Sequence, residues 1–216
     1  MGWAMAGKSI MRRYNDAALR RHSGLINGRV LDLGAGNYDN SRFFNCNEYV
    51  RLDIDKGCMP DLVSTVHSVA LRGNSFDAII CSNLLEHIPE PKKAAREMHR
   101  LLKPNGVLLA SVPFVCQIHP NPKDMQRFTP EGLQHVFADF SVETIEHFGG
   151  YFSVLAVLLD DFFNVFIGRN ASAIFYGLGK TLDSIHILPE QKRDPRALGK
   201  VYSVGFMAVC RKAPKK

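Results

Sequence analysis

The fold of this chain is decided by the stretch Val30-Leu31-Asp32-Leu33-Gly34-Ala35-Gly36. Its apolar, β-prone start predicts a buried strand, and the two glycines separated by one small residue predict a tight turn whose backbone a ligand can approach closely. Asp32 lies inside the apolar run, where burial of an unpartnered carboxylate is costly. We therefore expect Asp32 to face a cation or a hydrogen-bond donor at the end of the strand.

A second carboxylate, Asp53, follows the next strand-like run, which covers residues 49–52. A carboxylate at the tip of the neighbouring strand is placed to accept hydrogen bonds from both hydroxyls of a ribose. The two features together predict a nucleoside-binding site. The alternative interpretation is a turn glycine pair with two surface aspartates.

The composition is typical of one globular domain in a reducing compartment. The 216 residues suffice for one sizeable core, and 46% apolar with 22% charged residues argues against wholesale disorder. The five cysteines are odd in number and never form a Cys-x-x-Cys pair, so neither a disulfide framework nor a metal site is predicted. Because we find neither a secretory leader nor a long uncharged apolar run, we expect a single cytoplasmic domain over residues 1–216.

The net charge of +6 permits an anionic partner without identifying one. The simplest explanation of this positive charge is a set of lysines scattered over the surface. No Asn-Pro-Pro-Tyr-type signature follows the fourth predicted strand, and no aromatic-basic platform for stacked bases is evident. A nucleic-acid partner is therefore not expected.

Strands alternate with helices over the first half of the chain, which predicts a parallel doubly wound sheet with its ligand beyond the carboxyl ends of the strands. Asp32, Asp53, Ser82 and Ser111 all fall at those ends. Strands are predicted at 29–33, 49–52, 62–66, 76–81, 107–112, 142–145 and 201–210, helices at 5–22, 91–102, 151–167 and 171–185, a short helical segment near 41–44, and a helix beginning at Thr129-Pro130-Glu131.

The segment from Pro113 to Pro130 contains four prolines and no apolar period. A loop of this length in a compact domain is often a lid or a binding loop. It carries His119, Asp124 and Arg127, three side chains able to do chemistry or bind a charged group.

Taken together, these motifs resemble those of the class I S-adenosylmethionine-dependent methyltransferases of the small-molecule type, over roughly residues 29–148. The matching segments are Val30 to Gly36, Leu52-Asp53-Ile54, and the run from Asn74-Ser75-Phe76-Asp77 through Cys81-Ser82-Asn83-Leu84-Leu85-Glu86-His87-Ile88-Pro89 to Leu101-Leu102-Lys103-Pro104-Asn105-Gly106-Val107. The resemblance implies a Rossmann-like α/β sheet, mostly parallel, with seven strands and helices on both faces. The helical spacing of apolar residues over 5–22 predicts that residues 1–28 form a helical cap, and we expect residues 29–112 to form a cofactor-binding half and 113–216 an acceptor-binding half.

The cofactor implied by the resemblance is S-adenosyl-L-methionine. The residues expected to bind it are Asp32, Gly34, Ala35, Gly36, Asp53, Ile54, Thr65, Val66, Ser82 and Asn83. Two positions depart from the family pattern: Tyr38 stands where a third glycine is usual, and Thr65 where an acidic residue contacts the adenine. A nicotinamide-dependent enzyme would need a glycine at Asp39 instead.

Methyl transfer to a hydroxyl benefits from a general base, and histidine has a suitable pKa. His119 is the first candidate, followed by Asp124 and then His87; the alternative for each is a side chain that only orders a loop. His87, Arg127 and Phe128 are candidates for acceptor binding, since Arg127 can clamp an anionic group or simply pair with Asp124. The segments His119-Pro120 and Arg127-Phe128-Thr129-Pro130 also resemble methyltransferases of glycan and secondary-metabolite pathways.

We therefore expect O-methylation of a sugar or secondary-metabolite hydroxyl, the partner being a small-molecule acceptor. The alternative is a catalytically weak or inactive partner subunit with the same fold. The apolar helices after Gly150 can wall an acceptor pocket, dock a second copy as a homodimer or rest on a membrane, although packing into the core is the simplest interpretation.

Overall fold

The computed structural model describes residues 8–119, 122–166, 172–184 and 202–214. These residues form five α-helices and seven strands, and the first four strands follow one another with no α-helix between them, unlike the predicted alternation. The helices are α1 (Ile10–Arg21), α2 (Pro91–Leu101), α3 (Pro130–Val136), α4 (Tyr151–Phe166) and α5 (Ser172–Ser184); the strands are β1 (Arg29–Leu33), β2 (Glu48–Asp53), β3 (Leu62–Val63), β4 (Phe76–Ser82), β5 (Leu102–Pro113), β6 (Ser141–Phe148) and β7 (Gly205–Arg211).

The seven strands form one sheet in the order β3-β2-β1-β4-β5-β7-β6. β1 pairs in parallel with β2 and with β4, and the pairs β2–β3 and β4–β5 are parallel as well. In this register Leu33 lies opposite both Leu52 and Cys81. The glycine turn after Leu33, Asp53 and Ser82 therefore meet at one edge of the sheet, as predicted, because parallel strands end on the same side.

The local differences from the predicted elements have identifiable causes. β5 begins at Leu102 rather than at 107, since Leu102 already pairs with Phe76 and the intervening residues up to Gly106 form an irregularity in the ladder. β3 ends at Val63, which leaves Thr65 and Val66 in a loop. Near residue 41 the chain makes only a single 3₁₀ turn. The predicted start of the last strand, residue 201, lies outside the described residues.

The chain divides into two compact units. The first contains Met1–Ala17, Pro113–His119 and His147–Phe206, and the second contains Ala18–Val112, Pro120–Glu146 and Met207–Lys216. The predicted functional division of the chain at residues 28 and 112 stays a prediction.

Hydrophobic burial stabilises the second unit around its central strands. Leu31 on β1 and Ile79 and Ile80 on β4 are fully buried. Six of the seven β4 residues are buried, as expected for a strand covered on both faces of a parallel sheet.

Helices α4 and α5 pack closely in the first unit through a small residue. A Cβ at Gly179 of α5 would lie 2.9 Å from the Cα of Ser153 on α4. The opposite face of α4 is exposed although it is apolar, and consists of Tyr151, Leu155, Leu158, Leu159 and Phe162. Core packing thus accounts for only one face of this helix. No helix among the described residues is both long and apolar enough to cross a membrane.

Asp183 of α5 satisfies the N-terminus of α4. Its carboxylate accepts hydrogen bonds from the backbone amides of Gly150, Phe152 and Ser153 at 2.7, 2.9 and 3.2 Å, and from the Ser153 hydroxyl at 2.5 Å. A helix leaves its first amides without backbone partners, and an anion there also interacts favourably with the helix dipole. The two helices are therefore joined by a charge-assisted cap.

We expect Asp183→Ala to lower the free energy of unfolding by about 3 kcal/mol, because several donors lose a charged acceptor at once. Thermal and urea unfolding followed by circular dichroism measure the change. Thr181→Ala, an exposed substitution on the same helix, serves as the control and should change stability little. Equal stability of the two variants would contradict the capping role.

Candidate functional site

A cavity of about 740 Å³ opens in the second unit, within the size range of small-molecule sites. Its lining comes from the ends of β1 and β2, from the loop after β3 and from the turn after β4. The lining residues are Gly34, Gly36, Asn37, Asp53, Ile54, Asp55, Cys58, Thr65, Val66, His67, Leu84, His87, Ile88, Pro89 and Pro122. Six residues predicted to bind the cofactor are among them, together with His87, which was predicted to bind the acceptor.

The glycine turn is held in place by backbone hydrogen bonds to β2. The amides of Gly34 and Ala35 both donate to the carbonyl of Leu52, at 2.8 and 3.2 Å. Gly34 and Gly36 have φ values of +67° and +53°, a conformation that glycine adopts without strain. A Cβ built on Gly36 would meet no atom within 4 Å, so this residue borders open space.

Asp53 fastens the turn to the loop after β2. Its Oδ2 accepts a hydrogen bond from the amide of Gly36 at 2.8 Å, and its Oδ1 accepts one from the amide of Asp55 at 2.9 Å. Each carboxylate oxygen can accept a second hydrogen bond. Asp53 therefore retains acceptor capacity for a ligand hydroxyl while it shapes the cavity.

Arg51, which the sequence analysis did not single out, also supports the turn. Its guanidinium donates to the carbonyl of Gly36 at 2.5 Å and to that of Cys58 at 3.2 Å. It thereby ties the glycine turn to the loop after β2. Its position two residues before Asp53 on a strand was the only signal available in the sequence.

Asp32 is fully buried and does not line the cavity. Its Oδ2 accepts hydrogen bonds from Asn40 Nδ2 at 3.1 Å and from the Tyr49 hydroxyl at 2.8 Å. The expectation that it faces hydrogen-bond donors is confirmed. Burial and the neighbouring Asp32 raise the pKa of Tyr49, which keeps its hydroxyl protonated and able to donate.

Tyr38 does not line the cavity. The guanidinium of Arg42 lies 4.6 Å from the centre of its ring and donates to its hydroxyl at 2.5 Å. This cation–π contact fixes the ring beside Arg42, where it leaves the space beside Gly36 open.

We expect Tyr38→Gly to change the affinity for a nucleoside ligand less than threefold, since the ring is not part of the cavity wall. Calorimetric titration of wild type and variant checks this. A gain of tenfold or more would mean that the ring competes with the ligand.

The loop after β3 supplies one polar wall. The amide of His67 donates to Thr65 Oγ1 at 3.1 Å, so this hydroxyl orders the loop. Nε2 of His67 is buried and has no hydrogen-bond partner among the described residues. His67 follows Val66 directly, and its proximity to a predicted adenine contact was the only signal in the sequence.

At the end of β4 the chain turns sharply. Asn83 has φ +51°, and its amide donates to the carbonyl of Ser111 at 2.9 Å. Ser82 and Ser111 face each other with their hydroxyl oxygens 3.2 Å apart. Neither Ser82 nor Asn83 lines the cavity; Leu84 and His87 do. Ala35 is likewise buried outside the wall.

Residues 123–127 lie over the turn that follows β4, and we call them the strap. The amide of Met125 donates to the carbonyl of Glu86 at 2.8 Å, and Gln126 Nε2 donates to the carbonyl of Leu85 at 3.3 Å. His87 Nδ1 lies 3.0 Å from the carbonyl oxygen of Lys123. Gln126 Nε2 also donates to the carbonyl of Ile88, so three residues of the strap are hydrogen-bonded to the turn.

The strap holds two of the predicted functional side chains. Arg127 makes a two-pronged ion pair with Asp124, including Nη2 to Oδ2 at 2.7 Å. The pairing considered for Arg127 is therefore present. Phe128, which follows the strap, is buried and does not line the cavity. His119 belongs to the first unit, where its Nδ1 lies 3.4 Å from the carbonyl oxygen of Gln117.

Glu86 was missed as a functional candidate. Its side chain is only 1% exposed, and neither carboxyl oxygen has a hydrogen-bond partner among the described residues. Burial raises its pKa to about 8, with Asp124 acting in the same direction and Arg127 against it. The same signal that identified Asp32, an acidic residue within an apolar run, was present at Leu84-Leu85-Glu86.

The raised pKa of Glu86 makes stability pH-dependent. The folded protein keeps the carboxyl protonated up to about pH 8, whereas the unfolded chain ionises near its ordinary value of 4.5. The contribution of Glu86 to the free energy of unfolding is therefore fully present below pH 4.5 and is lost as the pH rises towards 8. We expect Glu86→Gln to remove this loss and to be more stable than wild type at pH 8, by about 2 kcal/mol or more. Urea unfolding at pH 5 and pH 8 tests the difference, and parallel pH dependence of the two proteins would contradict it.

Comparison with protein families places a domain model on the centre of the chain. Residues 31–110 match the family described as "Methyltransferase domain". This range runs from β1 into β5 and contains the glycine turn, Asp53 and Glu86.

The curated relatives match the same half of the chain. The ubiquinone biosynthesis O-methyltransferase of Pseudomonas aeruginosa (strain ATCC 15692, PAO1) is 30% identical over 118 residues, which cover 47% of this chain and 49% of that protein. The protein of the same name from Histophilus somni (strain 2336) is 30% identical over 110 residues, covering 41% and 46%. The chain thus spans about half the length of the curated relatives it matches.

Solved structures share the fold over nearly the whole chain. A putative sarcosine dimethylglycine methyltransferase from Galdieria sulphuraria aligns with a TM-score of 0.60 and 16% identity, covering 94% of this chain and 86% of the other. An S-adenosylmethionine-dependent methyltransferase from Archaeoglobus fulgidus gives 0.60 and 15%, covering 93% and 94%. The [4+2]-cyclase SpnF gives 0.60 and 16%, covering 99% and 86%.

Proposed function

We propose that this chain, whose residues 31–110 match the family described as "Methyltransferase domain", is a class I S-adenosylmethionine-dependent methyltransferase that transfers a methyl group from S-adenosylmethionine to a hydroxyl of a small molecule. The observation that carries the proposal is the cavity bounded by the glycine turn and Asp53. The whole chain's activity and its acceptor are part of the proposal.

The residues of the cavity fit the cofactor. Gly36 borders open space that a side chain would fill, and Asp53 keeps acceptor capacity for ribose hydroxyls. The unpartnered Nε2 of His67 and the neighbouring Thr65 and Val66 supply polar groups for a base edge. We assign the methionine part to the glycine turn, the ribose to Asp53 and the adenine to the loop after β3.

When bound, S-adenosylmethionine supplies an activated methyl group on a positively charged sulfur. The protein's own contribution is to hold an acceptor oxygen close to that carbon and in line with the bond that breaks, which supplies much of the rate in such a displacement. Leu84, Ile88 and Pro89 give the cavity an apolar wall that keeps water from this region.

The acceptor is proposed to be a hydroxyl compound. Support comes from the names of the curated relatives, which are O-methyltransferases, and from the two proline-containing segments that resemble enzymes of glycan and secondary-metabolite pathways. His119 and Asp124 stay proposed as catalytic groups, and Arg127 and Phe128 as acceptor contacts. The pairing of Asp124 with Arg127 supports a role in ordering the strap.

Calorimetric titration with S-adenosylmethionine and with its demethylated product tests the first half of the proposal, and micromolar binding is expected. The second half is tested by release of the demethylated product in the presence of sugars and of phenolic compounds, including a simple catechol. Absence of binding at millimolar ligand would contradict the proposal and leave the partner-subunit alternative. Binding with turnover only on amine or carboxylate compounds would replace the hydroxyl acceptor.

A further inference from the structure

We propose that the acceptor is an uncharged aromatic hydroxyl compound rather than a sugar, and that Leu84 and Ile88 select it by packing against its ring. The inference rests on the proposed function and deepens it, since it names the substrate class of the same cavity. It is carried by five lining residues from the turn after β4 and from the segment before the strap. These residues are Leu84, His87, Ile88, Pro89 and Pro122, and we call them the acceptor wall.

The first step of the argument is the division of the cavity lining into two kinds of surface. The ends of β1 and β2 and the loop after β3 supply polar side chains, which are those of Asn37, Asp53, Asp55, Cys58, Thr65 and His67. Four of the five residues of the acceptor wall are apolar, and His87 is the exception. Because the polar side of the cavity is assigned to the cofactor, the acceptor wall is the part of the lining that remains for the acceptor.

The second step is that backbone groups of the acceptor wall are already hydrogen-bonded. The amide of His87 donates to the carbonyl of Leu84 at 3.0 Å, and the amide of Ile88 donates to that of Leu85 at 3.2 Å. Nε2 of Gln126 on the strap donates to the carbonyls of Leu85 and Ile88. The ring of His87 is itself bound to the strap through Nδ1. These polar groups are satisfied within the protein, so the surface that the wall offers to a ligand is mostly carbon.

The third step compares two classes of acceptor against such a surface. A sugar carries hydroxyls around its whole ring, and each hydroxyl that loses water without gaining a partner costs free energy. The two faces of an aromatic ring carry no polar atom, and their burial against Leu84 and Ile88 is favourable. The acceptor wall therefore favours the aromatic ring.

The fourth step concerns the charge of the acceptor. Among the described lining residues, Asp53 and Asp55 supply two carboxylates, and there is no lysine or arginine. Arg127 of the strap does not line the cavity and is paired with Asp124. An acceptor with a carboxylate or phosphate group would therefore be repelled by the lining. We expect the acceptor to be uncharged for this reason.

The fifth step is the acidity of the acceptor hydroxyl. A phenolic hydroxyl ionises near pH 10, whereas the hydroxyl of a sugar is a weaker acid and depends more on a base. The acceptor wall contains no carboxylate. Glu86 does not line the cavity, and burial raises its pKa to about 8, so it is neutral at pH 7. A phenol can instead release its proton to bulk water; its oxygen bonds to the methyl carbon, and the carbon–sulfur bond breaks with its electron pair on sulfur.

Methyl NMR of the full chain with isotope-labelled leucine and isoleucine tests the acceptor wall without any turnover. The chain is titrated with catechol, with its carboxylated analogue protocatechuate and with methyl glucoside, each with and without the demethylated cofactor. Catechol should shift the Leu84 and Ile88 signals, assigned through Leu84→Val and Ile88→Val, and should bind at least about tenfold more tightly than the other two compounds. Leu25, exposed and outside the cavity, is the matched control signal and should not shift. Equal binding of the glucoside or of protocatechuate, an equal shift at Leu25, or no shift with catechol would overturn the inference.

The variant Leu84→Asn provides a second readout, because it puts a polar side chain of similar size into the acceptor wall. It should raise KM for catechol about tenfold and change kcat less than threefold, since packing against the ring contributes equally to the ground state and the transition state. Leu25→Asn, an exposed substitution outside the cavity, is the control and should behave like wild type. An unchanged KM for the Leu84 variant would contradict the selection of the ring by this side chain.

Relative turnover separates this inference from the proposed function. Wild type should methylate catechol with kcat/KM at least about 100-fold above that for methyl glucoside. If the glucoside is methylated as well as catechol or better, the inference fails and the proposed function stands. If the chain neither binds the cofactor nor methylates either compound, the proposed function fails, while the NMR titration still decides whether the acceptor wall binds an aromatic ring.

Discussion

Replacing Asp53 with asparagine is expected to raise the Kd for S-adenosylmethionine about 100-fold, equivalent to about 3 kcal/mol. The carboxylate accepts hydrogen bonds from the amides of Gly36 and Asp55, one on each oxygen. An asparagine has only one acceptor atom, so its NH₂ group would face one of these amides. Because both groups are donors, that hydrogen bond would be lost. The glycine turn would loosen, and the charge-assisted hydrogen bonds proposed for the ribose would be lost as well.

Calorimetry with the demethylated cofactor measures the effect, and thermal unfolding establishes that the variant is folded. Asp61→Asn is the matched control: Asp61 also accepts a backbone hydrogen bond, from the amide of Arg51 at 2.7 Å, but it is exposed and outside the cavity wall. Its affinity should stay within twofold of wild type. Equal affinity of the Asp53 and Asp61 variants would mean that the ribose is not bound at Asp53.

Replacing Gly34 with alanine is expected to weaken cofactor binding by about 30-fold through a steric effect. At φ +67° a side chain is strained by about 1 kcal/mol or more, and the added Cβ would lie 2.6 Å from Cδ1 of Leu84. Leu84 is a flexible side chain that can move, but it lines the cavity, so relief of the contact reshapes the binding space.

The double variant Gly34→Ala with Leu84→Ala separates the two contributions. Removing the Leu84 side chain should restore part of the affinity, leaving only the backbone strain. Gly24→Ala, where an added Cβ meets nothing within 4 Å, should bind like wild type. If the double variant binds as weakly as Gly34→Ala, the contact with Leu84 does not explain the loss.

Most of the sheet could be predicted from the sequence because its determinants are local. β1 has the predicted bounds, since an apolar run ending in glycine leaves little choice. β4 extends one residue beyond its prediction and α3 begins at the proline that follows its Thr129 cap. β5 was predicted to start five residues late, because proline and glycine normally mark a turn, whereas here Leu102 already pairs with Phe76.

The lining of the cavity could be predicted for the segments that follow the first three strands, but only in part for the turn after β4. Residues that follow the first two strands line the cavity as expected, because parallel strands bring their carboxyl ends together. Ser82 and Asn83 do not, since the left-handed conformation of Asn83 turns the chain and brings Leu84 and His87 to the wall instead. A positive φ at a single asparagine cannot be read from its neighbours in sequence.

The amino-acid sequence by itself determined where most strands lie along the chain, the glycine turn after β1 and the acidic residue at the end of β2. These features depend on hydrophobic periodicity and on glycine conformation, which act over a few residues. Only the tertiary structure decided that Glu86 is buried beside His87, that Tyr38 stacks with Arg42 outside the cavity, and that Asp183 caps α4. The charged groups that act on Glu86, Asp124 and Arg127, and the amide of Gly150 that Asp183 caps lie about 30 to 40 residues away along the chain. Loss of water around a charged group depends on which distant segments cover it, and that is settled only when the chain has folded.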